Sequence, residues 1–401
     1  MQPSRLTPNF DKQLAQAEDS EGRVLADTLI GDAIKTRASD IHIDPLARAY
    51  RVRFRIDGAL VDIAMMPKDI GERLVRAFQV ASEIDQVSSR LSLDGRMSVP
   101  EGGAVRDIRV ATVSSLSGDK ITARLLHRGS SSHKLADLGM IAEDEESLRE
   151  VIARQDGMVM ISGPTGSGKT TTAYALLAEL LEKGVNLVTL EDPIEFELDG
   201  ATQVEVNEEG TLTYADGVRA LLRHDPDCLF VGEIRDEAAA INAVEASFSG
   251  HGVISTLHTR SCVTTVMMLR SMGVPNHLLA TALRMIINQR LVRRLCEQCK
   301  DQRSLMTREA DLIESLGAEP PDRLFAPVGC DACDQTGYEG RFPLFEVWKI
   351  NDDAYLAIIN GEDERKLTKV FEHERSQSLS NQGLNAVTKG RTSLAEWRTL
   401  I

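Results

Sequence analysis

The residues with the clearest chemistry form a glycine-rich stretch, GPTGSGKT. Its spacing matches GxxxxGK[ST], in which glycines let backbone N–H groups turn toward phosphate oxygens and the lysine reaches the outer phosphates. The apolar run MVMIS precedes it and a helical pattern, TTAYALLAELLEK, follows it, as this motif requires. The stretch predicts an ATP site in which Lys169 reaches the β and γ oxygens and Thr170 ligates Mg²⁺. The predicted phosphate-binding residues are Gly163, Pro164, Thr165, Gly166, Ser167, Gly168, Lys169, Thr170 and Thr171.

Acidic residues follow two further apolar runs. In the segment CLFVGEIRD, Glu233 follows an apolar strand at the position expected for a Walker B carboxylate. Most such strands end in aspartate, and a glutamate here would either act on the attacking water or hold the hydration shell of Mg²⁺. NLVTLEDPIEFE places Glu191, Asp192 and Glu195 after another strand. Because these charges would repel ATP unless Mg²⁺ bridged them, at least one, Glu195 by preference, is predicted to position metal and water.

Histidines and arginines add further candidates. His258 directly follows the apolar run GVISTL, just as the acidic residues above follow their apolar runs. At such a strand end it could sense the γ-phosphate. For His251, before that run, a purely structural role is an equal alternative. Arg109 and Arg124 lie in strand-like segments nearer the N-terminus. A solvated surface is their default interpretation, and the functional alternative is an arginine finger supplied by one domain or subunit to a phosphate held by another.

Four of the six cysteines, Cys296, Cys299, Cys330 and Cys333, form two CxxC pairs. Four soft thiolates suit a tetrahedral, structural Zn²⁺ closed to water. A thioredoxin-like redox site would instead have one pair at the start of a βαβ unit. The spacing therefore predicts a zinc site.

The elements that must position these residues fall into several parts. Near the N-terminus a helical pattern and nearly alternating segments such as YRVRFRIDGALVDI indicate an α+β domain. Later, short apolar runs alternate with helical segments, which predicts an α/β domain with a mostly parallel sheet and ligands at the carboxyl ends of its strands. The expected parts are a polar tail (1–20), an α+β domain (21–130), a linker (131–142), a P-loop domain (143–348) that includes the cysteine module (296–333), and a C-terminal region (349–401).

Composition, charge and hydropathy argue against several other classes of protein. The formal net charge of −15 would repel a phosphate backbone, and only 4% of residues are aromatic, so binding of nucleic acid by a helicase or translocase is disfavoured. A scaffold without turnover is disfavoured by the intact Lys169, Thr170 and Glu233. The first residues lack the apolar core of a signal peptide, and no stretch is apolar for long enough to cross a bilayer. A cytoplasmic protein is expected.

The motifs taken together resemble the secretion ATPase superfamily, in its type II secretion and type IV pilus assembly branch. The resemblance rests on motifs that occur in the family's order and cover most of the chain. They are ASDIHIDP, RVRFRIDG, DGR, DIRV, the P-loop, LEDPIEFE, LLRHDPDCLFVGEIRD, GHGVISTLHT, QRLVRRLC and the paired CxxC sequences.

This resemblance implies an N-terminal PAS-like domain, a RecA-like ATPase domain, a small zinc module and a helical C-terminal tail. It also implies a homo-hexameric ring whose closures turn an inner-membrane platform protein, so that association with the membrane occurs only through partners. Arg109 and Arg124 would reach the nucleotide, Glu195 and Glu233 would serve catalysis, and His258 would lie near the γ-phosphate. Arg219, Arg223 and Arg235 also fall on family arginines.

Two departures and one distinguishing feature refine the resemblance. Secretion-type members carry an extra N-terminal domain that docks on a membrane-anchored partner, whereas here ASDIHIDP begins at Ala38, so that recruitment route is expected to be missing. The segment RLSLDGR lacks the family's proline and glutamine. The four cysteines favour assembly motors over retraction motors.

Overall fold

The computed structural model describes residues 6–16, 21–84, 92–101, 104–126, 134–206, 212–315 and 319–400. The chain divides into two compact units, Met1–Arg128 and Gly129–Ile401. Parts of the expected polar tail and linker, and the start of RLSLDGR, lie outside the described residues. Within the expected linker, residues 135–138 form a short 3-10 helix, Leu135–Leu138.

The first unit is built on a six-stranded antiparallel sheet with the order β3-β2-β1-β6-β5-β4. Helix α3 packs against this sheet, α2 packs against α3, and α1 packs against α2. The strands are β1 (Asp40–Pro45), β2 (Ala49–Ile56), β3 (Ala59–Pro67), β4 (Ser92–Glu101), β5 (Ala104–Ser115) and β6 (Gly118–Leu125). The helices are α1 (Pro8–Leu14), α2 (Gly22–Lys35) and α3 (Lys68–Ala81).

Alternation along the strands decides which face of this sheet is buried. In β2, Tyr50, Val52 and Phe54 are buried in the core with the helices, whereas the arginines between them point to the other face. Strand β5 follows the same rule, because Ile108 and Val110 are buried on either side of Arg109. Arg109 therefore lies on the face opposite to the helices.

The second unit contains a seven-stranded sheet with the order β15-β12-β7-β11-β10-β8-β9. The neighbours from β12 to β9 run parallel, and β15 pairs antiparallel with β12. The strands are β7 (Gly157–Ser162), β8 (Leu187–Glu191), β9 (Thr202–Glu205), β10 (Cys228–Val231), β11 (Gly252–Leu257), β12 (Leu283–Leu295) and β15 (Tyr338–Lys349). The expected mixed α/β fold with a parallel sheet is confirmed.

Helices cover both faces of this sheet. Along β7, Met158 and Met160 belong to one apolar cluster and Val159 and Ile161 to another, so the strand is buried on both sides. The helices of the unit are α4 (Ala142–Ala153), α5 (Lys169–Glu182), α6 (Tyr214–Leu221), α7 (Glu237–Phe248), α8 (Cys262–Ser271), α9 (Asn276–Ala282), α10 (Thr307–Ser315), α11 (Asp352–Ile359), α12 (Glu364–Glu374), α13 (Leu379–Thr388) and α14 (Leu394–Trp397). Short 3-10 helices span Leu222–His224 and Asp331–Cys333.

A smaller hairpin accompanies the cysteines. Strands β13 (Asp301–Ser304) and β14 (Arg323–Ala326) pair antiparallel beside α10. Helices α13 and α14 share an apolar cluster with this hairpin, in which Leu324, Val387 and Trp397 are fully buried. The last helices therefore contribute to the core of the cysteine module. No helix within the described part of the chain is long and apolar enough to cross a membrane.

Candidate nucleotide site

The glycine-rich loop joins the end of β7 to the start of α5, and its shape requires glycine. Gly163, Gly166 and Gly168 have φ angles of 149°, 77° and 86°, which L side chains rarely adopt. A Cβ on Gly163 would lie 2.5 Å from the carbonyl oxygen of Gln289, and one on Gly168 would lie 2.7 Å from Gln289 Nε2. Ser167 Oγ is buried and has no hydrogen-bond partner among the described residues, which leaves a donor for a ligand. The loop and the N-terminus of α5 together fit a phosphate chain.

Lys169, the first residue of α5, is only 8% exposed. Its Nζ donates to the carbonyl oxygens of Gly163 at 2.9 Å and Pro164 at 3.3 Å, and it lies 3.2 Å from His258 Nδ1. The ammonium is thus held inside the loop by the dipoles of two backbone carbonyl groups. It is placed where it can meet the outer phosphates of a nucleotide.

Burial changes the proton affinity of this lysine. Desolvation lowers the pKa of Lys169 from 10.5 to about 8, although the nearby Glu233 and Glu195 raise it. Arg290 adds a smaller lowering effect. A bound phosphate would raise this pKa again, because an anion at contact favours the ammonium.

Glu233 and His258 come from neighbouring strands and meet at the carboxyl edge of the sheet. Glu233 follows β10 and His258 follows β11, and Glu233 Oε2 lies 3.1 Å from His258 Nε2. Arg235 Nε donates to Glu233 Oε1, and Arg235 Nη1 donates to Asp192 Oδ2 at 2.9 Å. His258 therefore bridges the carboxylate of Glu233 and the ammonium of Lys169.

The acids after β8 have different surroundings. Thr170 Oγ1 donates to Glu195 Oε1 at 3.5 Å, which puts a carboxylate beside the hydroxyl expected to ligate Mg²⁺. Glu191 is only 3% exposed and accepts hydrogen bonds from Tyr174 and Thr189, and its burial raises the pKa of its carboxyl group. Glu195 could therefore contribute to a metal site together with Thr170, whereas Glu191 connects β8 to α5 through Tyr174.

Several candidates lie away from this cluster. His251 precedes β11, at the opposite end of the strand from His258, and its Nδ1 lies 3.1 Å from both Ser249 Oγ and the carbonyl oxygen of Ala246. Its contacts are those of a structural residue at a helix end. Arg219 pairs with the neighbouring Asp216 at 2.6 Å.

The arginine candidates of the first unit lie side by side. Arg109 on β5 is the register partner of Arg124 on β6. Arg124 in turn lies opposite Asp40 on β1, and its Nε donates to Asp40 Oδ1 at 3.0 Å. The two guanidinium groups therefore belong to one face of the sheet.

Sequence reasoning missed three residues of the site. Tyr174 donates to Glu191 and accepts from the backbone N–H of Phe196, which anchors the segment that carries Glu195. Asn288 and Gln289 contact the P-loop region from β12. Two signals were available, namely two adjacent amides in the apolar run LRMIINQRL and the family motif QRLVRRLC, which begins at Gln289.

The cysteine cluster has the geometry of a metal site. The four Sγ atoms of Cys296, Cys299, Cys330 and Cys333 all lie within 4.8 Å of one another. Sulfur atoms are 3.9 Å apart for Cys296 and Cys330, and 3.7 Å apart for Cys299 and Cys333. Tetrahedral thiolates about 2.3 Å from an ion would be roughly 3.8 Å apart. The cluster could therefore hold a tetrahedral metal ion.

Fold and site together define a P-loop nucleotide-binding protein with a parallel sheet. A family model described as "Type II/IV secretion system protein" matches residues 15–399. The chain belongs to this family. Family membership and a complete P-loop make it an ATPase, and the resemblance drawn from the motifs is confirmed.

Individual relatives agree with the family model. The type II secretion system protein E of Aeromonas hydrophila is 38% identical over 389 residues, which cover 97% of this chain and 77% of that protein. The type IV pilus assembly ATPase PilB of Myxococcus xanthus is 37% identical over 396 residues, which cover 97% of this chain and 69% of that protein. The solved structure of the Legionella pneumophila ATPase DotB matches in fold, with a TM-score of 0.70 at 22% identity over 94% of this chain and 95% of that one.

The lowered pKa of Lys169 predicts how ATP affinity depends on pH. The phosphates bind the charged ammonium, so above a pKa of about 8 binding requires uptake of a proton. We expect affinity to be nearly constant well below pH 8, to begin to fall close to pH 8, and to weaken on the order of tenfold per pH unit above it. Equilibrium titration with Mg²⁺ and ATP between pH 7.5 and 9.5 measures this dependence.

Lys169→Arg is the control, because a guanidinium keeps its charge throughout this range. The variant should bind ATP more weakly and without the slope. Wild-type affinity that stays constant up to pH 9.5 would contradict a lysine with a lowered pKa at the phosphates.

Proposed function

We propose that this protein is a homo-hexameric motor ATPase that couples ATP hydrolysis to assembly of a type IV pilus or a type II secretion pseudopilus. The observation that carries the proposal is the continuous contact from Lys169 through His258 to Glu233, which links the phosphate loop to a carboxylate suited to act on water. The names of the relatives, a type II secretion protein and a type IV pilus assembly ATPase, support the two filament classes. An inner-membrane platform protein is the proposed partner that receives the movement.

The residues divide the hydrolysis reaction among them. Lys169 neutralises charge on the β and γ oxygens, and Glu233 orients or deprotonates the attacking water. His258, in contact with both, responds to the presence of the γ-phosphate. Thr170 and Glu195 would hold Mg²⁺, which supplies charge neutralisation between the phosphates when bound.

Arg109 and Arg124 are proposed to complete the site from the first unit of the same or a neighbouring subunit. Their position as register partners on β5 and β6, on the face opposite to the helices, supports joint action on one anion. Two guanidinium groups that bind the nucleotide only in a closed state would supply differential affinity for that state. Such a difference converts ATP binding into movement.

The cysteine module is proposed to be a structural zinc site, and the two units are proposed to be a PAS-like domain and a RecA-like domain. The sulfur spacing supports a tetrahedral ion such as Zn²⁺, and backbone N–H groups of Gly329 and Gly337 donate to Cys299 and Cys333 Sγ at 3.3 Å and 3.2 Å. We further propose a cytoplasmic location, with association at the inner membrane through partners only. The net charge of −15 supports a function without nucleic acid.

Arg109→Ala and Arg124→Ala test the motor proposal most directly. Each variant should stay folded and assemble, because neither side chain belongs to the core. Each should lower the ATPase rate on the order of tenfold or more, as lost charge stabilisation does. Steady-state phosphate release by the assembled protein gives the rate.

Arg76→Ala is a matched control, since Arg76 is an exposed arginine of the same unit on α3. It should hydrolyse ATP at the wild-type rate. If Arg109→Ala and Arg124→Ala also do so, the first unit does not contribute to catalysis and coupling through domain closure is wrong.

The zinc proposal predicts one Zn²⁺ per chain. Cys296→Ser should lose the ion and unfold at a lower temperature, because the module has only a small apolar core of its own. Cys262→Ser, which changes a buried cysteine outside the cluster, should keep the ion. Elemental analysis with thermal unfolding decides between these outcomes, and a zinc-free full chain as stable as the native protein would refute a structural role.

A further inference from the structure

Two adjacent amides are buried in the middle of β12. Asn288 is 0% exposed and Gln289 is 2% exposed, although the strand around them, LRMIINQRL, is otherwise largely apolar. Burying an amide costs free energy unless its N–H and C=O groups are hydrogen-bonded. The partners of these two side chains therefore indicate what the buried amides do.

Gln289 joins two parts of the P-loop region that lie far away in sequence. Its Nε2 donates to the carbonyl oxygen of Ser167 at 2.8 Å, and its Oε1 accepts from Thr172 Oγ1 at 2.7 Å. Ser167 lies in the loop and Thr172 in the first turn of α5, on either side of Lys169. One side chain thus spans the segment that presents the ammonium.

Backbone and side-chain atoms of Gln289 also lie close to two glycines of the same loop. Its carbonyl oxygen lies 2.5 Å from where a Cβ on Gly163 would be, and its Nε2 lies 2.7 Å from the corresponding position on Gly168. Both ends of the loop therefore pack closely against Gln289. The two glycines are needed partly because this residue occupies the space behind them.

Asn288, the residue before Gln289 on β12, contacts two other segments of the site. Its Nδ2 donates to Ser162 Oγ at 2.8 Å and lies 3.4 Å from the carbonyl oxygen of Thr259. Ser162 ends β7, just before the P-loop, and Thr259 follows His258. Neighbouring residues of one strand thus hold the loop and the segment that carries the histidine.

We propose that Gln289 is a positioning residue of the ATPase reaction, which aims the P-loop and Lys169 before the nucleotide arrives. The inference deepens the proposed function and rests on it. Gln289 acts through Ser167 and Thr172. Because both hydrogen bonds are made by the protein's own groups, ATP does not have to organise the loop, and its binding energy remains available for catalysis.

Gln289→Met tests this role, because methionine is similar in length and apolar but makes neither hydrogen bond. We expect kcat/KM for ATP to fall on the order of tenfold or more, with a rise in KM and a fall in kcat, since a loosely held loop binds phosphates less well and aims Lys169 less accurately. Gln289→Glu should behave similarly, because its carboxylate cannot donate to Ser167.

Gln79→Met is the matched control for stability, because Gln79 is also a buried amide, 5% exposed. Its Nε2 donates to Thr112 Oγ1 at 3.3 Å and to Asp119 Oδ2 at 3.0 Å, and it lies on α3 of the first unit. Its replacement should lower the unfolding temperature to a similar degree while kcat and KM stay at wild-type values. A purely structural role for Gln289 predicts that the two variants behave alike.

A second pair keeps the test decisive if the Gln289 variants do not fold. Thr172→Val keeps the shape of the side chain and removes the donor to Gln289, whereas Thr172→Ser keeps the donor. We expect the valine variant to lose kcat/KM and the serine variant to retain most of it.

Wild-type kinetics in folded Gln289→Met, or in folded Thr172→Val, would overturn the inference. Equal losses of kcat/KM in Thr172→Val and Thr172→Ser, or in Gln289→Met and Gln79→Met, would do the same. Failure of the proposed function looks different, because Arg109→Ala and Arg124→Ala would then hydrolyse ATP at the wild-type rate whatever the Gln289 variants do.

Discussion

The site depends on one buried ammonium, that of Lys169, and on the groups that hold it at the phosphate loop. Lys169 is held by two peptide carbonyls and a histidine ring inside a loop that excludes most water. This arrangement is costly for the free protein, as the lowered pKa shows, and a triphosphate relieves the cost. The glycines of the loop, the amide of Gln289 and the start of α5 all keep the ammonium in this position.

The parallel sheet brings the remaining chemistry to the same ammonium. Strands β10 and β11 lie next to each other and end at one edge, so Glu233 and His258 meet there and form a contact chain to Lys169. Burial then separates acids that look alike in sequence. Glu191 points into the protein and has a raised pKa, whereas Glu195 faces the hydroxyl of Thr170.

The sequence predicts the parts of this arrangement that depend on local pattern. The P-loop, the strands that deliver Glu233 and His258, and the parallel sheet follow from short motifs and apolar runs. The contribution of Gln289 does not, because its partners Ser167 and Thr172 lie more than a hundred residues earlier, and only the pairing of β12 with β7 brings them together. The packing of α13 and α14 onto the cysteine module is likewise a long-range contact. Local periodicity predicts helices but not the surface on which they pack.

The central claim is that Lys169 binds the phosphates of ATP, whereas Glu233, which is linked to Lys169 through His258, is needed for ATP cleavage. A single-turnover experiment with Glu233→Gln and Lys169→Ala, in which bound nucleotide and released phosphate are followed together, tests it most directly. The account predicts that Glu233→Gln binds ATP and stalls before cleavage, whereas Lys169→Ala shows no nucleotide-driven turnover. Phosphate release at the wild-type rate by either variant would contradict the account.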